Sequence, residues 1–181
     1  MIASKFSILL VGAVVCLFTL SGRADQQSAA AQGAPTQDNQ VIEQVGDPSN
    51  GFTLTTRFDK AVFKNGEPIK VAFRLKNLRP TLEYFSRSGY GQDFGLKVTT
   101  ADGKLVPLTQ YGRIIYDSPG IGSSITIKMK PGDKVSATLY VNRIYDMSEG
   151  GKYNITVSTR APKSGTVVTS KTTSVIVTFD G

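Results

Sequence analysis

The chain of 181 residues contains no histidine, and its one cysteine, Cys16, sits inside an apolar N-terminal run. The first absence removes Ser-His-Asp and Cys-His nucleophile activation and histidine-ligated zinc. With Cys16 in a segment expected to be removed, thiolate metal sites and thiol catalysis go as well. Serine and lysine are plentiful, but no spacing singles out a Ser–Lys pair. Carboxylates remain. Glycoside hydrolysis needs two of them about 5–10 Å apart, and the candidates are Asp93, Asp102, Asp117, Asp133, Asp146 and Glu149. Asp102 and Asp133 stand in turn sequences, where aspartate serves the backbone. Asp146, with Glu149 three residues on, suits the capping of a short turn. Its alternative, a calcium site, takes about six or more oxygens from a dense acidic loop, and no such loop is written here. No Gly-rich phosphate loop follows a strand and opens a helix. The expectation is a protein that is not an enzyme and uses neither metal nor cofactor.

Two groups of residues suit binding instead. Lys70, Arg74 and Lys76 fall on one face of a strand, with Arg57 and Lys97 as candidates to join them from other strands. Aromatics are not interleaved with this basic stripe, so bases would have no stacking platform and nucleic acid is disfavoured. A solvated outer face, with lysines guarding an edge, is the plainer reading of the same residues. The second group is the stretch Tyr84-Phe85-Ser86-Arg87-Ser88-Gly89-Tyr90-Gly91-Gln92, read as a loop. Tyr84, Arg87 and Tyr90 give it recognition chemistry, whereas Phe85 is expected to pack.

Charge agrees with an anionic partner. The formal net charge is +7, but residues 25–49 carry four acids and no base, leaving residues 50–181 with 19 bases against 10 acids, a net of +9. Such a surface favours acidic polysaccharide, phospholipid headgroups or nucleic acid.

Three segments are expected to carry these residues. Residues 1–24 read as an export signal: Lys5, the uncharged run Phe6 to Leu20, then Ser21-Gly22-Arg23-Ala24 with small residues before a cut after Ala24. The run is shorter than the about 20 apolar residues that span a bilayer, so no stable anchor is expected after cleavage; an uncleaved anchor is the alternative. Val15 before Cys16 argues against lipid attachment. Residues 25–49, rich in Gln, Ala, Ser and Asn, read as a disordered acidic and polar linker. Residues 50–181 read as one all-β domain.

Within that domain, apolar residues recur at every second position: Phe52, Leu54; Ile69, Val71, Phe73, Leu75; Phe94, Leu96, Val98; Ile125, Ile127, Met129; Val135, Ala137, Leu139, Val141; Tyr153, Ile155, Val157; Val175, Val177, Phe179. Slipping the strand at Ile69 by one residue would bury three cations, so its register is fixed. Asn65-Gly66-Glu67-Pro68, Ala101-Asp102-Gly103-Lys104 and Lys130-Pro131-Gly132-Asp133 supply turns. The stretch 111–124 reads as irregular, and 144–148 as a single helical turn. About seven strands without a three-turn amphipathic helix favour an immunoglobulin-like antiparallel β-sandwich with Greek-key connections. Tyr153, after Gly151-Lys152, suits a tyrosine corner, though it can also simply pack. Asn154-Ile155-Thr156 matches a glycosylation sequon but falls mid-strand and reads as coincidence.

Four segments together carry a resemblance: Asn65-Gly66-Glu67-Pro68-Ile69; Asp93-Phe94-Gly95-Leu96-Lys97-Val98 leading to Asp102-Gly103-Lys104; Met129-Lys130-Pro131-Gly132-Asp133; and Tyr145-Asp146-Met147-Ser148 before Gly151-Lys152-Tyr153-Asn154-Ile155-Thr156-Val157. Over roughly residues 52–160 the chain resembles the bacterial immunoglobulin-like domains found beside deuterolysin-type and lysine-specific metalloendopeptidases. More loosely it is similar to the bacterial intracellular proteinase inhibitor family. These motifs are turns and strand entries, so the resemblance implies a fold and an accessory role, and no catalytic residue is carried over. The resulting expectation is a secreted or periplasmic, non-enzymatic binding or structural module. Its partner would be an anionic envelope polymer or a secreted protein; the alternative is a proteinase inhibitor acting through an exposed loop.

Overall fold

In Lys70–Asn77 the side chains of Val71, Phe73, Leu75 and Asn77 are buried, while Lys70, Ala72, Arg74 and Lys76 face outward. The same period of two organises most of the chain, because a strand sends successive side chains to opposite faces. The computed structural model describes residues 40–88, 93–117 and 124–179; the expected export signal, residues 1–24, and Tyr90 lie outside them. In chain order the elements are β1 (Ile42–Val45), β2 (Phe52–Phe58), β3 (Val62–Lys64), β4 (Lys70–Asn77), β5 (Glu83–Arg87), β6 (Phe94–Thr100), α1 (Gln110–Asp117), β7 (Ile125–Met129), β8 (Lys134–Tyr140), α2 (Val141–Ile144), β9 (Gly151–Arg160), β10 (Val167–Thr169) and β11 (Thr173–Thr178). The fold is all-β.

A first sheet has the order β1-β2-β4-β8, every pair antiparallel. In the second sheet β9 is the hub. One of its edges takes β6, and the other takes β10 and β11, antiparallel in each case. Beyond β11 lies β3, running parallel to it. The β5-β7 pair forms a third, two-stranded sheet. Inward side chains of all three sheets join one core, in which the ring of Phe94 lies 4.4 Å from Phe73 and 5.8 Å from Phe85. The Tyr153 hydroxyl donates to the Glu149 carbonyl at 2.6 Å, tying the start of β9 to the turn before it. Asn154 is engaged on β9, its Oδ1 accepting from Ser174 at 2.7 Å.

Four readings of the sequence need correction. The linker does not run to residue 49, because Ile42–Val45 pairs along β2 and the Thr53 hydroxyl donates to the Gly46 carbonyl at 2.8 Å. Apolar Val41, Ile42 and Val45 are too few to stand out in a polar stretch, and β2 supplies the missing partner. Tyr84 and Arg87 are not on a loop: Glu83–Arg87 is a strand whose Phe85 is buried. Residues 110–117 are helical rather than irregular; α1 is anchored by the Thr109 hydroxyl, which accepts from the Gly112 N–H at 3.0 Å. The short helix expected at 144–148 lies earlier, at Val141–Ile144.

Candidate binding surface

β4 is the centre of the candidate surface. Its register sets Arg57 on β2 and Thr138 on β8 either side of Ala72. Thr55 and Ser136 flank Arg74, Lys70 faces Tyr140, and Lys76 stands directly opposite Lys134. Because cross-strand neighbours share a face, Arg57, Lys70, Arg74, Lys76 and Lys134 all project from the outer face of the first sheet, with hydroxyls between them. Among the described residues none of these five cations has an ion-pair partner. Like charges set directly opposite disfavour pairing in a sheet, and Lys76 and Lys134 are set in that way. A shallow depression of about 100 Å³ lies around Ala72 and Arg74, floored by the strand and lined by Thr55, Arg57, Ser136 and Thr138.

The stripe read from sequence is therefore brought together, and Arg57 joins it. Lys97 does not, since it sits on β6 of the other sheet, opposite Thr156. Lys134 was missed; periodicity along one strand is visible in sequence, but register between strands is not.

The carboxylates are less promising. Asp102, Asp146 and Glu149 share one open basin of about 410 Å³ with Lys104 and Tyr153. Asp102 accepts from the Thr100 hydroxyl, which holds its carboxyl below the usual range. Hydrogen bonding from Ser148 lowers that of Asp146 in the same way. A general acid needs the opposite shift. Asp133 accepts from the Lys130 N–H at 2.8 Å and Asp93 from the Ser88 N–H at 2.9 Å, so both serve the backbone. Asp117 ends α1 and does not line that basin. Among the described residues no three His, Cys, Asp or Glu side chains cluster to hold a metal ion.

Tyr84 is half-exposed on β5, across from Lys128, and Arg87 ends that strand across from Ile125. Their neighbour Glu83 is buried and was not singled out by sequence reasoning. The Thr81 hydroxyl donates to its Oε1 at 2.9 Å and Arg79 lies 3.4 Å from the same atom. Lys163 Nζ stands 3.2 Å from Oε2, an attraction between charges without good hydrogen-bond alignment. These partners, Thr81 first, depress the Glu83 carboxyl below its ordinary value against the cost of burial. Arg79 also donates to the Asn50 carbonyl at 2.9 Å and covers the Phe52 ring at 5.5 Å. This is a structural clasp joining three segments.

No helix among the described residues is long and apolar enough to cross a membrane. No family model matches the chain, and no curated protein does. Among solved structures it is similar to a mutant (D270A) β-glucosidase from Listeria innocua in complex with laminaribiose, at 13% identity and a TM-score of 0.38. That match covers 70% of this chain and 16% of the glucosidase chain, and likeness at that level carries no argument about fold or function.

Proposed function

We propose that the chain is an exported, non-enzymatic binding module of immunoglobulin-like architecture whose basic sheet face engages an anionic polymer of the envelope or extracellular space. The architectural part draws support from strand order. β2-β4-β8 faces a sheet ordered β3-β11-β9-β6, an arrangement that matches the A-B-E and G-F-C sheets of such sandwiches, with β3 as a strand switched across to pair with the last one. The Tyr153–Glu149 bond supports a tyrosine corner at the start of the penultimate long strand. Export rests on the reading of residues 1–24 alone.

One observation carries the binding reading: five cations share a face, without ion-pair partners, and two of them are set directly against each other. A linear polyanion laid along β4 would meet Lys70, Arg74 and Lys76 in turn and offset the like charges of Lys76 and Lys134. Hydroxyls from Thr55, Ser136 and Thr138 suit a polar, hydroxylated chain better than a stack of bases.

The test is binding of the mature protein to polyuronate and to polyphosphate immobilised on beads. Lys70→Glu with Arg74→Glu is expected to weaken binding about fivefold or more, since two exposed attractions of about 0.2–1 kcal/mol each become repulsions. Added salt acts in the same direction. Binding that ignores both would return this face to a solvated surface. The proteinase-inhibitor alternative is separated by an inhibition screen against secreted proteases, in which the binding module leaves every protease active.

A further inference from the structure

The edges of the two sheets are finished differently. On β6, most of the outward backbone groups around its middle are occupied. The Leu96 N–H donates to the Tyr116 hydroxyl at 3.1 Å, and the Tyr145 hydroxyl donates to the Leu96 carbonyl. Val106 N–H reaches the Val98 carbonyl at 3.1 Å, and Thr100 N–H the Lys104 carbonyl at 2.9 Å. Two tyrosines and the following segment thus seal that edge. β1, the outer strand of the first sheet on one side, has only four residues.

β8, the outer strand on the other side, has seven and pairs with β4 alone. Antiparallel pairs alternate between those that exchange backbone hydrogen bonds and those that do not. The bonds Val141 N–H to Ile69 carbonyl and Asn77 N–H to Asp133 carbonyl fix the odd-numbered residues of β8 as the bonded set. Lys134, Ser136 and Thr138 therefore aim their N–H and C=O groups away from β4, and none of these groups meets another hydrogen-bonding partner among the described residues. The inward side chains agree: Val135, Ala137 and Leu139 retain 4–8% exposure, whereas Val71, Phe73 and Leu75 on β4 retain 0–2%.

We propose that the free edge of β8 is a docking site for an extended acidic peptide of a partner protein, which adds to the first sheet as a fifth strand. Long open edges are pairing sites unless they are blunted, and strand addition draws affinity from backbone bonds and specificity from alternate side chains. Charge selects the occupant. Lys134 and the cations of β4 flank the outward side, so the added strand carries acids at its outward positions and small apolar side chains at its inward ones. Beyond Thr138 the edge runs into a groove of about 170 Å³ between β8 and α1, lined by Tyr111, Ile115, Tyr140 and Arg143. Arg143, stacked 4.9 Å over the Tyr111 ring and without a carboxylate partner, is placed to receive an acid at the end of the peptide.

The probe is a capped seven-residue peptide alternating Glu and Val, compared with its Lys–Val counterpart and with a copy N-methylated at its central residues. Saturable binding of the Glu peptide, weaker by tenfold or more for the other two, is expected. It should be accompanied by slowed amide exchange at Ser136 and Thr138. Ser136→Pro removes one outward N–H and no bond to β4, a change an edge strand tolerates, and it should abolish binding while leaving the melting temperature nearly unchanged. If that variant fails to fold, the N-methylated peptide on the native chain decides alone. No binding of the Glu peptide, equal binding of all three, or protection elsewhere than Ser136 and Thr138 overturns the proposal. So does concentration-dependent self-association lost in Ser136→Pro, which would assign the edge to a second copy of this chain.

Discussion

Glu83 occupies an inward position of β5 between the core residue Phe85 and the Arg79–Thr81 turn. Burying a charge is costly unless it is paired and hydrogen-bonded, and here Thr81, Lys163 and Arg79 converge on it. Its depressed folded-state value means that the unfolded chain binds a proton more readily. Its stabilising contribution is therefore complete above the ordinary value of 4.5 and lost as pH falls through the folded-state value. Glu83→Gln should lower the urea midpoint at pH 7 and flatten the loss of stability on acidification; an acid limb as steep as that of the native chain would contradict this. The tyrosines act differently. Burial pushes the Tyr145 hydroxyl up to about 12, so it remains a donor to Leu96 across the ordinary pH range. Tyr116→Phe leaves the Leu96 N–H without its acceptor and should cost about 1–3 kcal/mol in chemical denaturation, with faster exchange of that amide. Glu83 is also why β5 was hard to read. A carboxylate at an inward position breaks the apolar alternation that marks a strand, and its partners come from 79, 81 and 163, beyond any local window.

Most strands were legible because their own side chains alternate, and the turns at Gly66, Gly103 and Gly132 were legible because each adopts positive φ. The elements that escaped are those defined by a neighbour: β1 by β2, β5 by β7, α1 by the carbonyl against which it rests. The basic face was half legible in the same sense, with Lys70, Arg74 and Lys76 visible along one strand and Lys134 appearing only with the register. α1 depends on a close approach. A Cβ at Gly112 would stand 2.1 Å from the Ile144 carbonyl oxygen, so no side chain fits there. Gly112→Ala should displace the helix at a cost of about 1–3 kcal/mol. Because Tyr116 is on the same helix, amide exchange at Leu96 should rise with it. A crystal structure or exchange profile unchanged by the substitution would show that the helix is not held at that point.

At the scale of the whole chain, the four-acid stretch 25–49 and the basic remainder are less separate than the composition implies, since β1 belongs to the first sheet. A chain beginning at Gln40 should melt with the native protein. One beginning at Gly51 loses β1 and the Thr53–Gly46 bond and should melt several degrees lower, as the loss of about 1 kcal/mol moves a domain of this size by about 2–8 °C. Equal melting would make β1 dispensable.

The parallel pairing of β3 with β11 has a consequence for the order of events in time. Ile176 joins Val62 and Val177 joins Phe63, so the second sheet cannot close until residues 173–178 have left the ribosome. Val175 and Val177, both buried, are the last inward groups among the described residues to arrive. A nascent chain stalled before them exposes the flank of β9 and the underside of β3, and contacts spanning more than a hundred residues fold slowly once available. Closure of the second sheet thus waits on β11, leaving a long interval in which β3 has been made and its strand partner has not.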